Sequence, residues 1–95
     1  MTKPTLTYQA EEDLDQIVSY IARDKSDAAL KWLNDICAKF YLLAQSPEIG
    51  DARSDLGHGI RCTFFKRYVI YFRKANNSVE ILRVLTGDQD TQQLY

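Results

Sequence analysis

The chain has one histidine, two cysteines and two prolines among its 95 residues, and each scarcity closes off a class of function. His58 lies in a Gly-His-Gly turn and reads as a surface turn residue rather than a general base. With His58, the only imidazole, read as a surface turn residue, no Ser/His/Asp or Cys/His arrangement is expected. Cys37 and Cys62 fit no zinc or redox spacing and have no histidine nearby, so two reduced, buried thiols are the simpler reading. Gly57 and Gly59 lack the strand–glycine loop–helix setting of a phosphate cradle. No metal and no cofactor is therefore expected. No apolar run approaches the ~20 residues needed to cross a bilayer. The opening MTKPTLTYQAEEDL has no apolar signal core, so a cytoplasmic protein without a membrane partner is expected. Repeats, low-complexity tracts and linkers are missing too, which points to one domain, 1–95, with a modest core.

What the chain does contain is strong periodicity. Pro4 to Tyr8 reads as a short strand. Leu14, Ile17, Val18, Ile21 and Ala22 then form a helical stripe, with Glu11, Glu12 and Asp13 in the first turn, where carboxylates favour the helix dipole. After a break at Asp24–Asp27, capped by Ser26 or Asp27, a second stripe runs through Ala29, Leu33, Ile36, Cys37, Phe40, Leu43 and Ala44, with Trp32 at its edge. Ser46-Pro47 ends it. Helices near 9–24 and 27–46, joined by a short break, should form an antiparallel hairpin. Glu48 to His58 reads as a connecting loop. Three β-rich runs follow, Ile60–Phe65, Tyr68–Phe72 and Val79–Leu85, with connections so short that they must pair antiparallel. The expected fold is α+β: an antiparallel sheet of about four strands, including the N-terminal one, packed against the helical hairpin. Leu14, Ile17, Ile21, Leu33, Ile36, Phe40, Ile70 and Ile81 are the expected core. Tyr68 and Tyr71 read as sheet packing rather than base-stacking platforms.

Charge is distributed unevenly. From Gly59 to Gly87 six basic side chains (Arg61, Lys66, Arg67, Arg73, Lys74, Arg83) stand against Glu80 alone, a net of +5, while residues 1–58 carry a net of −4. Strict alternation puts Val79, Ile81, Arg83 and Leu85 on one face of the last strand and Glu80, Leu82 and Val84 on the other. With helices on one side of the sheet, the other side is expected to be free for an anionic partner. Asp13, Asp15, Asp24 and Asp27 read as a solvated helix face and caps.

Ala10-x-x-Asp13-Leu14-x-x-Ile17-x-x-Tyr20-Ile21 resembles the opening helix of ParE toxins in the RelE/ParE superfamily. The resemblance continues through Leu43-Ala44-x-x-Pro47-x-x-Gly50-x-x-Arg53-x-Asp55-Leu56. It closes with Gly59-x-Arg61, Tyr68-Val69-Ile70-Tyr71-Phe72-Arg73 and Val79-Glu80-Ile81-Leu82-Arg83-Val84-Leu85, and so covers nearly the whole chain. It implies the toxin of a type II toxin–antitoxin pair, wrapped by a ParD-like antitoxin that contributes a helix and an extended tail. Operator DNA would be bound only through the antitoxin. In this superfamily ParE-like members poison DNA gyrase, whereas RelE-like members cut messenger RNA on the ribosome with Lys, Arg and Tyr side chains, some of them just after the last strand. Here that position, Gly87 to Tyr95, has no Lys or Arg, and Asp88 and Asp90 would repel a phosphate. Tyr95 stands there without basic neighbours. The resemblance thus favours a non-enzymatic gyrase inhibitor with no catalytic residues, in which Arg61, Arg67, Arg73 and Arg83 contact partner or target and a tail bearing Asp90 and Tyr95 tunes binding. A RelE-like nuclease and an inactive toxin that only binds its antitoxin are the alternatives. Thr86 stands where many ParE sequences have His.

Overall fold

Thr7 organises the first third of the chain. It follows β1 (Thr5–Leu6), and its hydroxyl accepts the Ala10 N–H at 3.1 Å, capping helix α1 (Tyr8–Ala22). The same hydroxyl donates to the Leu82 carbonyl at 2.8 Å, and the Thr7 N–H donates to the Ile81 carbonyl at 3.0 Å. One residue therefore ends a strand, starts a helix and ties both to the far end of the sequence. Helix α2 (Ser26–Gln45) begins after a short break. Lys25, not Ser26 or Asp27, occupies its cap position, and it makes no side-chain cap bond. Asp27 falls inside the first turn, where its carboxylate meets the positive helix end.

The computed structural model describes residues 3–87. After α2 come β2 (Asp51–Ala52), β3 (Arg61–Phe65), β4 (Tyr68–Ala75) and β5 (Ser78–Thr86), giving a five-stranded sheet of order β1-β5-β4-β3-β2. Three pairings are antiparallel, as the short connections require. The expected α+β arrangement, an antiparallel sheet of about four strands on a helical hairpin, is what the chain forms, with two differences. β1 joins the sheet, but parallel to β5, which the intervening hairpin and sheet make room for. A fifth, two-residue strand forms inside the expected 48–58 loop. Asn76 and Asn77 both have positive φ (47° and 63°), so the β4–β5 turn is a tight two-residue one, and the ladder runs on to Ala75 opposite Ser78.

A register shift changes which residues share a face. Tyr71 stands opposite Arg83 and Phe72 opposite Ile81, so Leu82 is an extra residue on β5, a β-bulge. Alternation in β5 slips by one there. Val79, Ile81 and Val84 face the helices, while Leu82 and Leu85 join the opposite face, which corrects the strict alternation read from the sequence.

The main core lies between helices and sheet. It contains Leu14, Ile36, Phe40, Ile70 and Ile81 as expected, together with Trp32, Leu43, Phe72, Val79 and Val84. Ile17, Ile21 and Leu33 are only half-buried and pack against its margin, because α1 seats deepest along its Ala10–Leu14 side. Trp32 is inside rather than at the edge, meeting Tyr68 and Phe65 edge-on at 5.2 and 5.8 Å. A second cluster occupies the other face: Cys62, Val69, Tyr71 and Leu85, covered by Leu56 and Ile60 of the 53–60 loop and by Leu82. That face is therefore partly roofed, not left free for a partner. Phe40→Ala should lower unfolding free energy by about 3–5 kcal/mol, since the cavity would open between α2 and the sheet; urea denaturation is the check.

Candidate functional site

The basic side chains of the sheet do not form one continuous patch, because most have local partners. Arg83 is the most constrained. It lies beyond the stretch of β5 that β1 covers, and its guanidinium reaches helix α1. Its Nε donates to Asp13 Oδ2 at 2.8 Å and its Nη2 to Oδ1 at 3.0 Å, a two-pronged bond. The Val84 N–H also donates to Asp13 Oδ2, at 3.0 Å. A strand N–H that would otherwise need a neighbouring strand is thus met by a carboxylate. Asp13 is buried and belongs to this node, not to a solvated helix face. Hydrogen bonding to Asp13 raises the Arg83 pKa further against a smaller opposing effect of burial, so the guanidinium is permanently charged.

Arg61 has a different task. Its register opposite Phe72 puts it on the helix side, past the end of α2. Its Nη2 donates to the carbonyls of Glu48 and Gly50 at 2.6 and 2.7 Å, and its Nε to that of Ile49 at 3.3 Å. A planar guanidinium can gather three converging carbonyls in this way, and a lysine ammonium cannot do so with the same fork. The turn is tight enough that Gly50, at φ 88°, approaches the Cys62 carbonyl, where a Cβ would collide. This clamp makes β2 possible, and it was hidden in the sequence because backbone carbonyls leave no signature.

Arg73 and Arg83 share the sheet face opposite the helices, and Arg61 does not. Arg73 pairs with Glu80 across the β4–β5 ladder at 3.0 Å, and both remain partly exposed. Arg53, which the sequence offers only as part of the family motif and not as a contact residue, bonds both oxygens of Asp55 at 3.1 and 3.0 Å and lies 5.9 Å from the Tyr71 ring centroid. That bonding holds the Asp55 carboxyl below its ordinary pKa. Lys66 approaches both Asp35 and the Phe65 ring.

Arg67 is exposed at the β3–β4 turn. It rims a cleft of about 250 Å³ with Gln16, Ile17, Tyr20, Tyr68 and Thr86, where Tyr20 is 66% exposed and the lining is mainly apolar. A cation beside an exposed aromatic in such a cleft suits a protein partner. The expected contacts Asp90 and Tyr95 lie outside the described residues. Cys37 is half-buried, and burial pushes its thiol pKa up, away from the reactive thiolate.

The Asp13→Ala variant should lose about 3 kcal/mol, because it leaves a guanidinium and a strand N–H unmet. Adding Arg83→Met should recover part of that loss, so the double variant is less destabilised than the sum of the singles in urea unfolding. For Arg61→Lys, amide exchange should accelerate around residues 48–52 while the α2 core stays protected.

A family profile described as "ParE toxin of type II toxin-antitoxin system, parDE" matches residues 5–91. The chain is 33% identical over 76 residues to Toxin ParE3 of Caulobacter vibrioides, an alignment covering 79% of this chain and 76% of that protein. Its fold is similar to that of a solved chain described as the chromosomal ParDE TA system from P. aeruginosa. There the TM-score is 0.72 at 27% identity, covering 90% of this chain and 96% of the other.

Proposed function

From the premise that the chain belongs to the ParE family of type II toxin–antitoxin toxins, we propose that it inhibits DNA gyrase by binding and is neutralised by a ParD-like antitoxin. The observation that carries the inhibitor reading is the engagement of Arg83 by Asp13. An arginine that served a ribonuclease would have to be free to face the scissile phosphate. Here a carboxylate holds it two-pronged against the helix, a poor electrostatic setting for a polyanion. Arg61 is likewise turned inward, onto three backbone carbonyls. Both support a surface shaped for contact rather than for phosphoryl chemistry.

On this reading the six proposed binding residues divide by role. Arg67 and Arg73 present charge at the surface and meet the target or antitoxin directly. Arg61 and Arg83 fix the surfaces from which others make contact. Asp90 and Tyr95 belong to the tail that tunes target binding. The antitoxin covers the toxin with a helix and a charged segment, apolar anchors providing much of the affinity and charge governing the association rate. Its own DNA-binding domain takes the complex to the operator, and a membrane has no part in it.

Purified toxin should inhibit supercoiling by gyrase and stabilise gyrase–DNA cleavage complexes, and the antitoxin should reverse both effects. Arg67→Glu should weaken inhibition about tenfold or more without a shift in Tm, as expected for an exposed contact worth roughly 1.4 kcal/mol. A ribosome-programmed mRNA assay run in parallel should show no cleavage. Codon-periodic cuts with untouched gyrase would overturn the inhibitor reading. Silence in both assays with intact antitoxin binding would identify an inactive toxin.

A further inference from the structure

The described chain ends at the rim of the Tyr20 cleft. Thr86 lines that cleft, and the Gly87 N–H donates to the Arg67 carbonyl at 3.3 Å, so the end of β5 is held beside the β3–β4 turn. A Cβ built on Gly87 would meet nothing within 4 Å, which leaves the backbone room to reverse there.

Tyr20 stands as a ridge with a hollow on either side. One is the cleft of about 250 Å³ that it forms with half-buried Ile17, buried Tyr68 and exposed Arg67. The other, of about 370 Å³, lies toward Ser19 and Arg23, with Asp15 in its wall. Arg73 and Arg83 each have a carboxylate, but among the described residues neither Arg67 nor Arg23 is in an ion pair. An exposed aromatic over an apolar hollow, flanked by two unmatched guanidiniums, calls for an occupant with carboxylates and an apolar anchor.

The sequence after Gly87 has that composition. Asp88-Gln89-Asp90-Thr91-Gln92-Gln93-Leu94-Tyr95 places two carboxylates first, next to Arg67 in the chain path, and has no cation to compete for them. A polar spacer then leads to the apolar pair Leu94-Tyr95. At about 3.3 Å per residue, Leu94 can reach roughly 23 Å from Gly87, ample for a cleft that begins at Thr86. A segment tethered beside its site is present at an effective concentration near the millimolar range, so contacts too weak to hold a separate peptide suffice.

We propose that residues 88–95 fold back onto the Tyr20 cleft, with Asp88 and Asp90 meeting Arg67 and Leu94 seated against Ile17 and Tyr20. The tail then covers Arg67 in the free toxin, and the target reaches that arginine by displacing it. The proposal rests on the gyrase-inhibitor reading above and deepens it: the tail tunes target binding by competing for the same cleft.

The test uses the full-length toxin, isotope-labelled for NMR. Nuclear Overhauser contacts should join the Leu94 methyl groups to Tyr20 and Ile17, and Arg67→Glu should abolish them. Adding D88R and D90R to that variant should restore them, a charge swap that a purely structural effect of Arg67 would not permit. Leu94→Asp should vacate the cleft with an unchanged circular dichroism spectrum. It should also lower the toxin concentration needed to inhibit gyrase about threefold, because a larger fraction of the toxin is then open to the target. No contact between Leu94 and the cleft, or contacts indifferent to Arg67→Glu, would overturn the docking. Weaker inhibition by Leu94→Asp would make the tail a target contact and overturn the competition. A wild-type toxin that leaves gyrase untouched would overturn the inhibitor reading, while the NMR contacts would still decide the docking.

Discussion

The carboxylate of Asp13 is the interaction on which the rest of the structure depends. It sits in the second turn of α1 and accepts from the side chain of Arg83 and from the main chain of Val84. Those two residues follow the bulge at Leu82, which exists because the two halves of β5 must present opposite alternations to the same core. Without the bulge, Arg83 would point toward the helices and Val84 away from them. With it, Val84 enters the core, and Arg83 starts from the opposite face, from which its long side chain reaches back to Asp13. The bulge, the ion pair and the seating of α1 are thus one arrangement, and a change in any of them would disturb the other two. A salt bridge of this kind is weak support for stability when compared with a well-packed apolar pair. Its contribution here is to fix position: it sets the height and rotation of α1 against the sheet edge.

The same logic runs through the other cations. A net of +5 over residues 59–87 suggests a positive field directed at solvent. In the folded chain Arg61 faces carbonyls, Arg73 faces Glu80 and Arg83 faces Asp13. Most of the charge is met within a few ångströms, and what projects outward is localised, chiefly at Arg67 beside the Tyr20 cleft. Net charge over a segment is a property of composition, whereas a field at the surface depends on where each partner lies, and partners here come from residues 13, 48–50 and 80.

This explains which parts were legible from the sequence. The helical stripes, the hairpin, the three main strands and most of the core follow from local periodicity, which a linear reading captures. The family resemblance was legible because its motifs are spread in order along the chain. The bulge was not, since Val79 to Leu85 alternates equally well in either register and only the partner strand decides. β2 was missed because two residues carry no periodicity. Asp13 was assigned to solvent because its partner is 70 positions away, and the roofing of the second sheet face by Leu56 and Ile60 is likewise a long-range event. For Arg61, Arg73 and Arg83, the direction in which each side chain points was not legible.

The pairing of β1 with β5 has a consequence for how the protein is made. β4 and β5 join through a two-residue turn, so this hairpin can close as soon as both strands exist, at small entropic cost. The first strand has no partner until residues 80 and 81 are synthesised, and Thr7 and Asp13 must also wait for residues 81–84. During translation the helical hairpin can leave the ribosome long before the strand that orients it. The surfaces that α1 shares with the sheet, including the Tyr20 cleft, therefore come into being only once β5 has been made. Any nascent fragment truncated before that strand would have helices but no edge for Thr7 and Asp13 to bond, so α1 would lack the contacts that orient it.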